Sequence, residues 1–454
     1  MITKPLKVFW LSAEIAPWAK VGGLGDVAGS LPKAFSKAEV DIRLCLPYYS
    51  SIKTPAELLL KGLKMSLNQK TVKFDVYLTT LPETKIPVYL IKHPLFVGTD
   101  IYPKNKSFER FYLWSKAALT LITALDFIPN ILHLHDWHAA LVTNFLPDFK
   151  AEYPAIFSQT KVLYTIHNLA NQGSNLKQKT NPLADGIKRA DYINTVSPTY
   201  AREILTKEFG MGLEKILKSR RRNLSGILNG IDTNFFNPQT DSKIKYNYSI
   251  KDLSGKQENK LVLQKKLGLL VDVQKPLLAF VARLSWQKGI ELFSDKLFQE
   301  SIEKFGAQFV FLGEGDESYK KYLVKMAQKY PSHIRLHFGL DLNLAQKLYA
   351  ASDFFLVPSR FEPCGLTQMM AMRYGSLPIV RQVGGLKDTV DNSVGYIFKD
   401  YSSLALQKAI IKALHDFSFQ VKVIDKKRQN SMNQDFSWTL AAAKYFKLYQ
   451  KMVK

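Results

Sequence analysis

Apolar positions recur along the chain in two alternating rhythms. Short unbroken apolar runs end at polar or glycine-rich loops, and stretches with a helical apolar repeat lie between them. Val8-Phe9-Trp10-Leu11 is a run of the first kind and reads as a buried strand, followed by a loop and a helix from Asp26 to about Ser36. Val40–Leu46 is the next run and stops at Pro47. Segments 72–79 and 86–92 alternate as sheet strands do, and 108–125 reads as a helix. Runs at 131–135, 162–166 and 192–196 continue the series. Strands separated by helices predict a parallel, doubly wound sheet of α/β class.

Between Gly230 and Lys260 the pattern breaks into Asn, Lys, Ser, Tyr and Pro with weak periodicity, and then it restarts. Strands are expected at 277–281, 309–312, 354–357 and 377–380, with helices at 341–351 and 366–374. Two α/β domains follow from this, spanning 1–240 and 241–454, with the linker near 238–255. Trp438, Ala441, Ala442, Tyr445, Leu448, Tyr449 and Met452 share one face of a final helix over 436–453, most simply for core packing.

Composition narrows the class. A chain of 454 residues that is 46% hydrophobic can bury sizeable cores, and no window approaches the roughly 18 uninterrupted apolar residues of a membrane helix. The first residues run straight into a strand without a signal-peptide layout, and Cys45 and Cys364 cannot make a disulfide framework. A soluble, cytoplasmic protein is therefore expected. The net charge of +24 raises nucleic acid, an anionic membrane or an anionic substrate as partners. It is spread evenly, with 30 basic against 19 acidic groups in 1–240 and 33 against 20 in 241–454. Solvated helix faces and phosphate-facing loops account for such a spread, so neither nucleic acid nor membrane is expected as a partner.

Three loops favour anions. Lys20-Val21-Gly22-Gly23-Leu24-Gly25-Asp26 precedes the first helix, where glycine backbone amides, the helix dipole and Asp26 as N-cap could meet a phosphate. It also fits a loose dinucleotide pattern, yet Glu14–Val21 separates the glycines from the strand and no acid ends the second strand. Arg283 and Lys288, beyond the strand at 277–281, could clamp a diphosphate. Gly384-Gly385-Leu386 offers a further close backbone approach after the strand at 377–380.

Ser359-Arg360-Phe361-Glu362-Pro363-Cys364-Gly365-Leu366-Thr367 opens a helix, and Glu362 could serve there as a cap or as a working carboxylate. Cys364 as a nucleophile lacks a histidine at a recognisable spacing. His133, His135, Asp136 and His138 cluster as metal ligands do, but a strand end with Trp137 is equally a sugar-binding wall, and no metal is expected. His167, in Thr165-Ile166-His167-Asn168, sits at a strand's C-terminal end, the edge where open α/β sheets bind ligands.

Lys20–Val27, His135–His138, Thr165–Asn168, Thr195–Pro198, Ile227–Asp232, Arg283–Gly289, Ser359–Leu366 and Gly384–Val390 occur in that order. Together they resemble the bacterial glycogen synthase and plant starch synthase family over essentially the whole chain, Lys7 to Tyr449. The resemblance implies a GT-B fold, two Rossmann-like domains facing a cleft with the last helix returning to the first. It implies a retaining transfer of glucose from ADP-glucose to the 4-hydroxyl at the non-reducing end of an α-1,4-glucan, without cofactor or metal. Lys20 would contact the nucleotide sugar, Arg283 and Lys288 the leaving diphosphate, His167 the reacting sugar and Glu362 the donor glucose. Gly22, Gly23, Asp26, Asp136, His138, Asn168, Asn229, Cys364, Gly365, Leu366, Thr367, Gly384, Gly385 and Leu386 would line the substrate site. A retaining glycosidase would need two opposed carboxylates, and only Glu362 presents itself.

The chain departs from the family's pattern at three places. Only Ser174–Arg189 separates Gln172-Gly173 from Ala190-Asp191, Asn171 replaces an aromatic, and Phe236 replaces a tryptophan. These bear on acceptor handling more than on the donor. Another nucleotide-sugar transferase, or a glucan- or nucleic-acid-binding protein on a decayed scaffold, would share the fold. Retention of Lys20, His167, Arg283, Lys288 and Glu362 together argues against decay.

Overall fold

The computed structural model describes residues 5–36, 39–98, 100–103, 106–173 and 180–454. Its contacts divide it into two compact units, Met1–Gly230 with Trp438–Lys454, and Ile231–Ser437. The division thus falls at 230/231 rather than 240/241. Ile231 bridges to Ser437 and its amide bonds to the Phe436 carbonyl, which ties both ends of the second unit together.

In the first unit nine strands lie in one sheet: β1 (Leu6–Leu11), β2 (Val40–Pro47), β3 (Glu57–Leu67), β4 (Lys70–Thr80), β5 (Pro87–Lys92), β6 (Ile131–His135), β7 (Lys161–Ile166), β8 (Tyr192–Thr195) and β9 (Leu224–Gly226). Their order is β3-β4-β5-β2-β1-β6-β7-β8-β9. Residues Val8–Leu11 of β1 and all of β6 are buried, because helices cover both faces of a parallel sheet. That is why Val8–Leu11 reads as a continuous apolar run, while β6 is apolar apart from the buried His133 and His135. The sheet is parallel except where β4 runs antiparallel to β3 and β5. The loop after β1 leads into a helix at Gly23–Ser30, earlier and shorter than its sequence expectation, followed by a 3-10 turn at Leu31–Ala34.

The final helix, Trp438–Val453, packs in this first core through Trp438, Ala441, Ala442, Tyr445, Tyr449 and Met452, with Leu448 half-buried beside them. Burying large side chains of this kind stabilises by about 1.5–3 kcal/mol each. The stripe is what fastens the chain's C-terminal end to its N-terminal unit.

In the second unit six parallel strands follow the order β12-β11-β10-β13-β14-β15: β10 (Leu277–Val281), β11 (Gln308–Gly313), β12 (Ile334–Phe338), β13 (Phe354–Val357), β14 (Leu377–Arg381) and β15 (Tyr396–Phe398). Strand order reverses direction between β10 and β13, and in the first unit it diverges from β1 and β6. Ligands of doubly wound sheets bind outside the C-terminal ends of strands at such points. No described helix is long and apolar enough to cross a membrane.

Candidate functional site

In the first unit the loop after β1 is organised by a residue the sequence reading passed over. Glu14 is buried, and its Oε2 accepts the amides of Val21 at 2.7 Å and Gly22 at 2.9 Å. Tyr102 donates its hydroxyl to Glu14 Oε1 at 2.5 Å. The Gly22 amide, one of those expected to meet an external anion, is therefore already taken by an internal carboxylate, together with the Val21 amide beside it. Gly22, not Asp26, is the N-cap; Asp26 lies inside the first turn and pairs with Lys20 at 2.6 Å. Burial pushes the Asp26 carboxyl up while Lys20 pulls it back down. Lys20, Gly22 and Gly23 remain exposed. The signal for Glu14 was an acid in the apolar run Ala13-Glu14-Ile15-Ala16.

At the ends of β6 and β7 the polar groups hold one another. Asp136 has φ +55°, and its Oδ1 accepts the amides of His167 at 2.7 Å and Asn168 at 3.3 Å. Asn168 in turn accepts from the Ala170 amide at 3.0 Å. His135 Nδ1 lies 2.9 Å from His167 Nε2. His133 uses both ring nitrogens, toward Tyr449 Oη and Thr165 Oγ1, each at 2.8 Å. Among the described residues, no group of three or more His, Cys, Asp or Glu is arranged to hold a metal ion. His138 is stacked on Tyr102, with ring centroids 4.7 Å apart, and its Nδ1 is enclosed without a partner among the described residues. Burial keeps these imidazoles neutral, pushing His138 and His167 down to about 3.

Trp137 is not a sugar-binding wall. It is 8% exposed, and a Cβ at Gly173 (φ +65°) would overlap its indole, so that glycine's backbone covers the ring. Beyond Gly173, residues 174–179 of the shortened segment lie outside the described residues. Asn181 Nδ2 donates to Gln172 Oε1 at 2.6 Å. Asn229 is buried with its Oδ1 unpartnered among the described residues.

The Asp136 carboxyl carries a pH signature. Burial raises it from the ordinary 3.8 to about 7, against the two amides that favour the ion. The native state thus holds this proton more tightly than the unfolded chain, so Asp136 stabilises fully below about pH 4 and loses that contribution as pH rises through about 7. Asp136→Asn keeps an oxygen for both amides and does not titrate. Its melting temperature relative to wild type is expected to climb by several degrees between pH 4 and pH 8; a constant or shrinking gap would refute the assignment.

In the second unit Lys288 Nζ pairs with Glu362 Oε2 at 2.6 Å, and Ser359 Oγ donates to the same oxygen at 2.8 Å. Lys288, Ser359 and Thr367 share a cavity with Phe280, Ala282 and Leu356 at the ends of β10 and β13. The helix Thr367–Arg373 has no side-chain cap, which excludes the capping role for Glu362. The turn carrying Lys288 is seated on the neighbouring loop: a Cβ at Gly289 (φ +75°) would overlap the Pro358 carbonyl, and the Gln287 carbonyl accepts the Arg360 amide at 2.8 Å. Arg283 leaves the same turn exposed, its Nη2 3.5 Å from Gln287 Oε1.

Gly384, Gly385 and Leu386 follow β14 and are buried. The Gly385 amide donates to the Glu362 carbonyl at 3.0 Å, and a Cβ at Gly385 would overlap the Cys364 carbonyl oxygen. Cys364 is buried and Gly365 has φ +71°. Gln368, which the sequence reading missed, donates to the Gly365 carbonyl at 2.7 Å and to Thr389 Oγ1 at 3.1 Å, joining both loops. Leu366 and Thr367 are half-buried where the helix begins. Glu362 is thus oriented from its backbone as well as from its carboxylate.

Two successive doubly wound units with polar loops at their switch points are the architecture of GT-B glycosyltransferases. Residues 7–219 match the starch synthase catalytic domain, and residues 265–430 match glycosyl transferases group 1. The chain is 41% identical to the glycogen synthase of Thermosipho melanesiensis, covering 98% of this chain and 99% of that one. It is 38% identical to the glycogen synthase of Lactococcus lactis, over 98% and 100%. The catalytic domain of starch synthase IV from Arabidopsis thaliana, solved bound to ADP and acarbose, superposes with a TM-score of 0.89 at 33% identity, covering 99% and 100%. Sucrose-phosphate synthase from Thermosynechococcus elongatus shares the fold at a TM-score of 0.64 and 17% identity. The chain belongs to the glycogen/starch synthase family of glycosyltransferases, and its function is that of an α-1,4-glucan glucosyltransferase.

Proposed function

We infer that the chain transfers glucose from ADP-glucose to the 4-hydroxyl at the non-reducing end of an α-1,4-glucan with retention, and without a metal. The observation carrying this reading is the Lys288–Glu362 pair with Ser359 at the β10/β13 switch point, beside the exposed Arg283. As the glycosyl–phosphate bond breaks, positive charge grows on the sugar and negative charge on the diphosphate. Cations held in place at the leaving group are the largest lever on such a step. Arg283 and Lys288 take that role, and Glu362 faces the donor glucose. The acceptor oxygen bonds to C1 while its proton passes to the departing phosphate oxygen, so no second carboxylate is required.

Cys364–Thr367 and Gly384–Leu386 supply the remaining donor contacts. In the first unit Lys20, Gly22, Gly23 and Asp26 meet the nucleotide sugar, and Asp136, His138, His167, Asn168 and Asn229 handle sugar hydroxyls. The ADP bound to the Arabidopsis starch synthase supports adenine over other bases. With only two cysteines, the enzyme works in the reducing cytoplasm.

The test is a panel of ADP-, UDP- and GDP-glucose with glycogen as acceptor, run with and without exhaustive chelation. ADP-glucose is expected to give the highest kcat/KM by about tenfold or more, unchanged by the chelator. Equal use of UDP-glucose, or activity that returns only with added zinc, would overturn the reading.

A further inference from the structure

His167 differs on its two sides. A neutral imidazole carries one N–H and one bare nitrogen, and its neighbours decide which is which. On one side stands His135, fully buried at the end of β6, with Nδ1 2.9 Å from His167 Nε2. The other nitrogen of His135, Nε2, is enclosed and has no partner among the described residues. An enclosed N–H without an acceptor is the costlier and rarer defect; an enclosed lone pair is better tolerated. The His135 proton therefore sits on Nδ1 and is donated to His167 Nε2. That leaves His167 with its own proton on Nδ1, which has no hydrogen-bond partner among the described residues and belongs to a half-buried side chain.

His135 is held firmly enough to impose this choice. Its ring stacks on Trp10 at 4.0 Å between centroids with 21° between planes, and the His133 ring lies 4.1 Å away on the same strand. His167 is fixed at its backbone by Asp136. Neither ring turns without breaking a contact that burial makes hard to replace.

We propose that His135 is a positioning residue that locks His167 as its Nδ1–H tautomer, so that His167 offers a neutral N–H donor to a hydroxyl of the bound sugar. A neutral donor suits an uncharged polyhydroxylated ligand and brings no full positive charge to pair with a carboxylate or phosphate at that point. His138 provides the contrast. Its Nδ1, enclosed and without a partner among the described residues, places the proton on Nε2, the opposite tautomer. The proposal rests on His167 being a sugar-facing residue, and its test separates the two ideas.

The full chain is labelled with 15N-histidine, and long-range proton–nitrogen correlations assign the tautomers in wild type, His135→Phe and His135→Asn. Wild type is expected to show His167 as Nδ1–H and His138 as Nε2–H. His135→Phe removes the donor and should give His167 mixed tautomers, with kcat/KM down about tenfold, the worth of one hydrogen bond. The Asn amide can donate from nearly the same place as Nδ1, so His135→Asn should restore the Nδ1–H signature and most of the rate. His167 found as Nε2–H in wild type would overturn the lock. A lock that vanishes in His135→Phe while turnover is untouched would keep the tautomer and overturn the sugar-facing role.

Discussion

Lys288→Ala is expected to lower kcat by about 10² to 10³-fold, the usual loss when one preorganised charge-stabilising donor is removed. The same change also strands Glu362, which is 6% exposed and would keep only the Ser359 hydroxyl on the oxygen that now receives Lys288. A buried acceptor deprived of its charged partner costs about 1–3 kcal/mol, so the melting temperature should fall as well. Adding Glu362→Gln removes the stranded charge. The double variant should regain stability, yet its kcat should stay as low as that of Lys288→Ala, because the pair acts as one unit. Steady-state rates with ADP-glucose and thermal melts read both quantities. Near-wild-type turnover in Lys288→Ala would sink the leaving-group role. Recovery of rate together with stability would mean that the pair is only a structural ion bridge.

The sequence made the central strands plain and the edges obscure. β1, β6 and β7 are almost wholly buried, so they appear as short, mostly apolar runs, broken inside only by Lys7, His133 and Thr165. β3 was missed because Glu57-Leu58-Leu59-Leu60-Lys61 has helix-forming residues and its strand is mostly exposed at the sheet edge, where apolar alternation is not demanded. β12, at the other sheet's edge, is likewise half open. Residues one or two places beyond a strand end were legible as site candidates, since position alone marks them. Their supports were not. Tyr102 reaches Glu14 across 88 positions, and Gln368 reaches Thr389 across 21, distances at which no local pattern signals a contact. Trp137 shows the reverse error. An aromatic beside polar residues at a strand end looks the same in sequence whether it faces solvent or, as here, lies under Gly173.

Gly385→Ala is expected to cost about 10²-fold in kcat with the fold retained. The new methyl would overlap the Cys364 carbonyl oxygen, and that contact is backbone against backbone, so no side chain can swing away to relieve it. The loop after β14 must part from the loop carrying Glu362, weakening the Gly385–Glu362 backbone bond now 3.0 Å long. A displacement on the order of 1 Å at a reacting group is enough for about a hundredfold loss, while overpacking of this kind destabilises by about 1–3 kcal/mol. Gly22→Ala supplies the opposite case. A Cβ there meets nothing within 4 Å, and φ −144° is open to alanine, so the free protein should melt as wild type does. If Gly22→Ala nonetheless raises the KM for ADP-glucose several-fold, the obstruction comes from the ligand, because the protein offers none. If Gly385→Ala keeps wild-type kcat, Glu362 is not aligned through its backbone. If Gly22→Ala is silent in both melting and KM, the glycine loop after β1 does not touch the donor.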